Sequence, residues 1–148
     1  GFPLGAVLAP ENAASGTTAG THGSTYGGNP LACAVGSAVM NHVNDPAFLD
    51  DVNRKAGLLR QKLEGLIASY PDVFEAVRGS GLMLGLKCKC PNADMVAAGY
   101  AACVITVPAA DNVIRLLPPL NITEDDITEA IIRLDAAAST LDPKSASF

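Results

Sequence analysis

A polar, glycine-rich loop that leads into a helix carries residue types suited to binding an anion. Ser24 and Thr25 place two adjacent hydroxyl groups at its tip, and its glycines let another group approach closely. Asn29 is a good N-cap and Pro30 suits the first helical position, so a helix is expected to begin there. Hydroxyl donors before a helix start suit an anion such as phosphate. Glycine and hydroxyl content alone, however, favours an ordinary surface loop before a capped helix.

Arg115 is a single cation inside the otherwise apolar residues 113–117. A guanidinium group offers two parallel donors, which match the two oxygens of a carboxylate. The simpler interpretation is a strand arginine whose side chain faces solvent on one side of a sheet. The residues by themselves leave both interpretations open.

The four cysteines give only weak support for a metal site. Cys88 and Cys90 form a Cys-x-Cys pair, but zinc ligands are usually two to four residues apart and a second pair is missing. In a strand the two thiols would share one face and simply pack. Together with Cys33 and Cys103 they are expected to be reduced thiols of a cytoplasmic protein, and no metal is expected.

Composition excludes several classes of protein. The chain has 148 residues, of which 49% are hydrophobic and 17% charged, so a folded core is expected. A net charge of -5 argues against a nucleic-acid partner, and no apolar run is long enough to span a bilayer. His22 and His42 are the only histidines, and no histidine–acid–nucleophile set can be assembled for hydrolysis.

Hydrophobic spacing predicts alternating helices and strands. Residues 4–9 form an apolar run expected to be a buried strand, and residues 11–19 are expected to be a loop. One helix is predicted over residues 30–43. A second is predicted from Pro46 to about residue 69, with Asp45 as its N-cap. The second of these has one apolar stripe, made of Phe48, Val52, Ala56, Leu59, Leu63 and Ile67.

The second half of the chain is predicted to be a sheet with helices. Strands are expected over residues 74–78, 82–89, 104–107 and 113–117, with a helix over residues 92–102 between the pairs. A capping box at Thr123 begins a last helix, and residues 142–148 are expected to be a frayed tail. The apolar stripe of that helix consists of Ile127, Ile131, Leu134, Ala138 and Leu141. This order favours an α+β fold.

The string from His22 to Ala32, His-Gly-Ser-Thr-Tyr-Gly-Gly-Asn-Pro-Leu-Ala, resembles the signature loop of the class-III (ornithine-type) aminotransferases. These are pyridoxal-phosphate enzymes of fold type I. The string at residues 77–85 and the arginine before the Pro118-Pro119 pair also resemble that family. The resemblance implies that Thr25 binds the cofactor phosphate of the neighbouring subunit, that Ser24 lies at the substrate site, and that Arg115 clamps the substrate α-carboxylate.

The function implied is transfer of an amino group from a small-molecule amino donor to a keto acid. The variant spelled here most resembles enzymes that act on N-acetylornithine and 2-oxoglutarate in arginine biosynthesis. Relatives that act on ornithine, succinylornithine or 4-aminobutyrate remain alternatives. So does a non-catalytic α+β ligand-binding or dimerisation module.

The resemblance also implies a domain layout. Residues 1–30 would be a remnant of the large domain, namely a strand plus the phosphate loop. Residues 31–148 would be the C-terminal small domain with its leading helix, an antiparallel sheet with helices on one side. The parent enzyme is expected to be a homodimer with its active site at the interface. The family's cofactor-binding lysine would precede Gly1, so no catalytic residue is expected here and this chain alone should be inactive, with pyridoxal phosphate not bound.

Overall fold

The computed structural model describes residues 2–146, and the chain divides into two compact units, Gly1–Leu49 and Asp50–Phe148. The first contains α1 (Glu11–Ala14) and α2 (Pro30–Val43), and α3 (Pro46–Ser69) begins in the first unit and continues into the second. None of the helices within residues 2–146 is both long and apolar enough to cross a lipid bilayer.

The buried strand expected at residues 4–9 is wrong. These residues form no regular element, and Val7 and Leu8 are 91% and 98% exposed. A strand needs a hydrogen-bonded neighbour, and no strand of the described residues pairs with this segment. The loop expected at residues 11–19 is also partly wrong, because its first four residues form α1.

The predicted start of α2 is confirmed. The Asn29 side chain accepts a hydrogen bond from the backbone N–H of Ala32 at 2.9 Å, and Pro30 is the first helical residue. α3 begins similarly, since the carboxylate of Asp45 accepts from the N–H of Ala47 at 3.0 Å. Local side-chain signals therefore fix both helix starts.

The second unit is built on one antiparallel sheet. Its strands are β1 (Phe74–Ser80), β2 (Met83–Cys88), β3 (Val107–Ala109) and β4 (Val113–Leu116), in the spatial order β1-β2-β4-β3. The helices of this unit are the rest of α3, α4 (Asn92–Ala101) and α5 (Glu124–Ser139). The predicted α+β class and its antiparallel sheet are thus confirmed.

Side chains along β2 and β4 alternate between the two faces of the sheet. Leu84, Leu86 and Cys88 of β2 lie on the same face as Ile114 and Leu116 of β4, and all five are buried. α3 contributes buried residues at helical spacing, Val52, Ala56, Leu59, Leu63 and Leu66. Leu66 rather than the predicted Ile67 completes this stripe, because alternating steps of four and three residues from Val52 lead to position 66.

The opposite face, called the charged face below, carries Arg78 of β1, Gly85 and Lys87 of β2, and Arg115 of β4. Because side chains alternate along a strand, these positions must share one side of the sheet. The row through Arg78, Gly85 and Arg115 ends at Val107 of β3.

The third strand lies later in the chain than expected. Residues 104–106 are irregular and β3 comprises only Val107–Ala109, so that Pro108 pairs with Ile114. Proline is tolerated because β3 is an outer strand of the sheet. A three-residue loop follows, in which Asp111 and Asn112 have φ of 59° and 53°. Asn and Asp are the non-glycine residues that accept this left-handed region most readily.

The last helix begins as predicted. Thr123 accepts from the N–H of Asp126, and the Asp126 carboxylate accepts from the N–H of Thr123, a reciprocal capping box. Ile127, Leu134 and Ala138 of the predicted stripe are buried, and Ala137 joins them. The tail was expected to fray, but Pro143–Ala146 form a short 3-10 helix, and residues 147–148 lie outside the described part.

Candidate functional site

The loop before α2 presents its hydroxyl groups to the outside. Ser24 and Thr25 are exposed, and no side-chain hydrogen bond within residues 2–146 involves either hydroxyl. The backbone carbonyl of Ser24 accepts from the N–H of Gly27 at 3.3 Å, which tightens the loop. Gly28 then turns the chain into the helix with φ of +70°. Two adjacent hydroxyls are thereby available to an anion.

The other polar side chains of this loop are exposed or make local hydrogen bonds. His22 is exposed, and Tyr26 is 79% exposed. Asn29 is occupied by the helix start, donating from Nδ2 to the carbonyl of Tyr26 at 2.7 Å. The chemistry that this loop offers is hydrogen-bond donation by Ser24 and Thr25.

Arg115 lies near the middle of the charged face. Its side chain is half-buried, and its Nε is buried without a hydrogen-bond partner among the described residues. A buried guanidinium nitrogen left unpaired is costly, so this position suits an acceptor that comes from elsewhere. Ser24 and Thr25 belong to the first unit and Arg115 to the second.

A second feature of the charged face is an ion cluster centred on Asp111. Its carboxylate accepts from Lys87 Nζ at 2.7 Å and from the Arg78 guanidinium. Hydrogen bonds from Lys87 first, and then from Arg78, hold the pKa of the Asp111 carboxyl below its usual range. Arg78 and Lys87 are thus partly neutralised by a neighbour, in contrast to Arg115 Nε.

The cluster was not anticipated from the sequence, because strand alternation alone does not say which strands are neighbours or in which register. Arg78, Lys87 and Arg115 lie on three strands, and strand alternation combined with the register gives all three the same face. Register is a property of the folded sheet, and it could not be read from the separate strands.

The cysteine pair lies at and just after the end of β2. Cys88 is buried and Cys90 half-buried, and both are free thiols. Burial raises the pKa of the Cys88 thiol to about 12. No group of three His, Cys, Asp or Glu residues with metal-binding geometry occurs within the described part of the chain.

Comparison with known proteins identifies the family of this chain. The profile of the family described as "Aminotransferase class-III" matches residues 1–138, which is nearly the whole chain. This chain belongs to the class-III aminotransferase family. The resemblance read from the signature loop is confirmed.

Curated members of the family are similar over most of this chain. An acetylornithine aminotransferase of Rhodobacter capsulatus is 65% identical over 146 residues, which cover 99% of this chain and 37% of that protein. An acetylornithine aminotransferase of Mesorhizobium japonicum is 54% identical over 141 residues, covering 95% and 35% respectively. The chain therefore spans only about a third of the length of these class-III relatives.

Solved structures of the family share the fold. Acetylornithine aminotransferase from Elizabethkingia anophelis matches with a TM-score of 0.74 at 32% identity, over 88% of this chain and 35% of that one. Ornithine delta-aminotransferase of Plasmodium falciparum matches with a TM-score of 0.79 at 26% identity, over 93% and 36%. The arrangement described above is therefore that of a portion of a class-III aminotransferase.

Proposed function

We propose that this chain is the C-terminal portion of a pyridoxal-phosphate-dependent aminotransferase that moves an amino group between N-acetylornithine and 2-oxoglutarate. The proposal that this portion binds substrate is supported by Nε of Arg115, which is buried on the charged face and has no hydrogen-bond partner among the described residues. The choice of N-acetylornithine is supported by relatives of that name at 65% and 54% identity. Family membership disfavours a non-catalytic module, and enzymes for ornithine, succinylornithine or 4-aminobutyrate are the alternatives.

The residues of the loop fit the phosphate of pyridoxal phosphate. Two exposed hydroxyls and a flexible glycine backbone next to a helix start form a donor set for an anion. In this proposal Thr25 donates to the cofactor phosphate of the neighbouring subunit, and Ser24 lies beside the substrate. When bound, the cofactor would supply the electron-withdrawing system that makes bonds labile at the substrate carbon that bears the transferred amino group.

Arg115 is proposed to bind and orient both substrates. Its planar fork donates two parallel hydrogen bonds to the α-carboxylate, which fixes the rotation of the substrate as well as its position. In 2-oxoglutarate this carboxylate adjoins the reacting carbon, whereas in N-acetylornithine the free amino group lies at the other end of the chain. The orienting effect of Arg115 is therefore expected first in the 2-oxoglutarate half-reaction. Charge-assisted, correctly oriented binding of this kind contributes on the order of 2–4 kcal/mol to kcat/KM.

The parent enzyme is proposed to be a cytoplasmic homodimer with its active sites at the subunit interface. Residues 1–30 are proposed to belong to the large domain and residues 31–148 to the small domain with its leading helix. The free thiols of all four cysteines agree with a reducing compartment. The exposed apolar residues of α2, Leu31, Val39 and Met40, agree with burial against further protein in the parent.

The Arg115 assignment is tested in the full-length enzyme that contains this chain. Arg115→Lys keeps the charge and loses the fork, so the half-reaction with 2-oxoglutarate should lose about 2–4 kcal/mol in kcat/KM. The half-reaction with N-acetylornithine is measured beside it and should lose less. Cofactor affinity should stay within about twofold, because the phosphate is bound elsewhere. Arg54→Lys, at an exposed position on α3, is the matched control. Unchanged constants in both half-reactions would make Arg115 structural.

The Thr25 assignment is tested by mixing inactive subunits. Thr25→Val should weaken cofactor retention by about 1.5–3 kcal/mol, whereas Thr17→Val, in the preceding exposed loop, should not. Each hybrid of a Thr25→Val subunit with a subunit that lacks the cofactor-binding lysine should regain one complete site. Proven subunit exchange without recovery of activity would place Thr25 outside the neighbour's site.

A further inference from the structure

Gly85 lies between two arginines on the charged face. In the sheet register it pairs with Arg78 of β1 on one side and with Arg115 of β4 on the other. It is buried despite having no side chain, in the middle of β2. Glycine weakens a strand interior, so its presence here points to a close approach by another group.

The group that approaches Gly85 belongs to β4. A Cβ added at Gly85 would lie 2.6 Å from Cγ1 of Val113 and 3.3 Å from the carbonyl oxygen of Ile114. Cγ1 belongs to a β-branched side chain, which has few alternative rotamers to move into. A side chain at position 85 would therefore push β4 away from β2, and β4 is the strand that carries Arg115.

We propose that Gly85 is a positioning residue for Arg115. The missing side chain lets Val113 pack against β2, and this packing sets where β4, and with it the Arg115 guanidinium, lies. The inference rests on the proposed carboxylate-binding role of Arg115 and adds the residue that fixes its position. Displacement by about an ångström is enough to reduce productive substrate binding severely.

The test compares Gly85→Ala, Val113→Ala and the double variant in the full-length enzyme. Gly85→Ala should raise KM for 2-oxoglutarate by about tenfold or more, with cofactor affinity unchanged. Val113→Ala removes Cγ1, so the double variant should return to within about threefold of the KM of Val113→Ala alone. A folded Gly85→Ala enzyme with wild-type KM, or a double variant without rescue, would overturn the proposal.

A matched glycine separates positioning from general loss of stability. Gly99 of α4 is also tight, since a Cβ there would lie 3.0 Å from the carbonyl oxygen of Val104, but it is not on the charged face. Gly99→Ala should lower the melting temperature and leave the KM for 2-oxoglutarate unchanged. If Gly85→Ala fails to fold, the Gly85→Ala/Val113→Ala double variant becomes the deciding test. A KM of the double variant about tenfold above that of Val113→Ala would contradict the proposal.

The Arg115→Lys enzyme distinguishes the two possible failures. If Arg115→Lys impairs the 2-oxoglutarate half-reaction while Gly85→Ala does not, only the positioning role is wrong. If Arg115→Lys leaves the kinetic constants unchanged, the proposed carboxylate site and the proposed role of Gly85 are both wrong.

Discussion

The Lys87 ammonium donates to Asp111 twice, to its carboxylate at 2.7 Å and to its backbone carbonyl oxygen at 2.5 Å. The residues are 24 positions apart in sequence, and the contact joins β2 to the loop between β3 and β4. Arg78 of β1 donates to the same carboxylate, so one acidic side chain links three parts of the sheet.

We expect Asp111 to make the stability of the sheet depend on pH. Lys87 first and then Arg78 lower the pKa of Asp111 in the folded state. The contribution of Asp111 to the free energy of unfolding is therefore fully present above the unfolded carboxyl pKa of about 3.9. It is lost as the pH falls through the lower pKa of the folded state. Urea unfolding of this chain should show Asp111→Asn to be less stable than the wild type at pH 7, with the difference shrinking below about pH 4.

The control for this prediction removes the partners. In an Arg78→Gln/Lys87→Gln background, Asp111→Asn should give a much smaller pH-dependent difference, because no cation then stabilises the ionised carboxyl. Asparagine keeps the left-handed backbone at position 111 accessible, so the variant tests charge rather than loop geometry. A difference that stays constant between pH 7 and pH 3 would contradict the prediction.

The two isoleucines of α5 give a matched test of the core. Ile127 is fully buried, whereas Ile132 is 63% exposed on the same helix. Ile127→Ala should lower the free energy of unfolding by about 2–5 kcal/mol, because it removes buried methyl groups and leaves a cavity. Ile132→Ala should change it by less than about 0.5 kcal/mol. Similar losses in urea titrations of the two variants would mean that α5 packs differently.

Thiol reactivity should separate the cysteines. Burial raises the pKa of Cys88 to about 12, while Cys103 is exposed at the end of α4. The thiolate is the reactive form of cysteine. In the folded chain, iodoacetamide at pH 8 should therefore modify Cys103 about a hundredfold faster than Cys88. In urea the two rates should converge. Peptide mass spectrometry follows both sites, and equal rates without urea would contradict the burial of Cys88.

This chain alone should not catalyse transamination. Among its lysines, Lys55 and Lys144 pair with Asp51 and Asp72, and Lys89 donates to the carbonyl of Pro71. None has the sequence context of the family's cofactor-binding lysine. Mixed with pyridoxal phosphate and N-acetylornithine, the chain should form keto-acid product no faster than the cofactor alone. Turnover clearly above that background would refute the expectation.

Helix starts were predictable because their causes are local. Asn29 and Thr123 each accept a hydrogen bond from the backbone N–H three residues ahead, so each helix start is encoded within four consecutive residues. Residues 4–9 show the opposite case. An apolar run describes what a strand buries, but the strand itself exists only where another strand pairs with it.

The candidate site divides in the same way. Ser24, Thr25 and Arg115 are candidates from the sequence because short strings around them resemble a known family, and their roles stay predictions. The contacts of Arg78 with Asp111, 33 residues later, and of Gly85 with Val113 depend on sheet register. Register is set by the packing of the whole sheet, so these neighbours emerge only from the structure.

Pro108 has a consequence for how this domain associates with others. β3 is one outer strand of the sheet, and it is three residues long with a proline at its centre, which removes a backbone donor. Such a strand is a poor template for a strand from another molecule. Intermolecular growth of the sheet is therefore disfavoured on the β3 side, and of the two outer strands only the seven-residue β1 is long enough to support it.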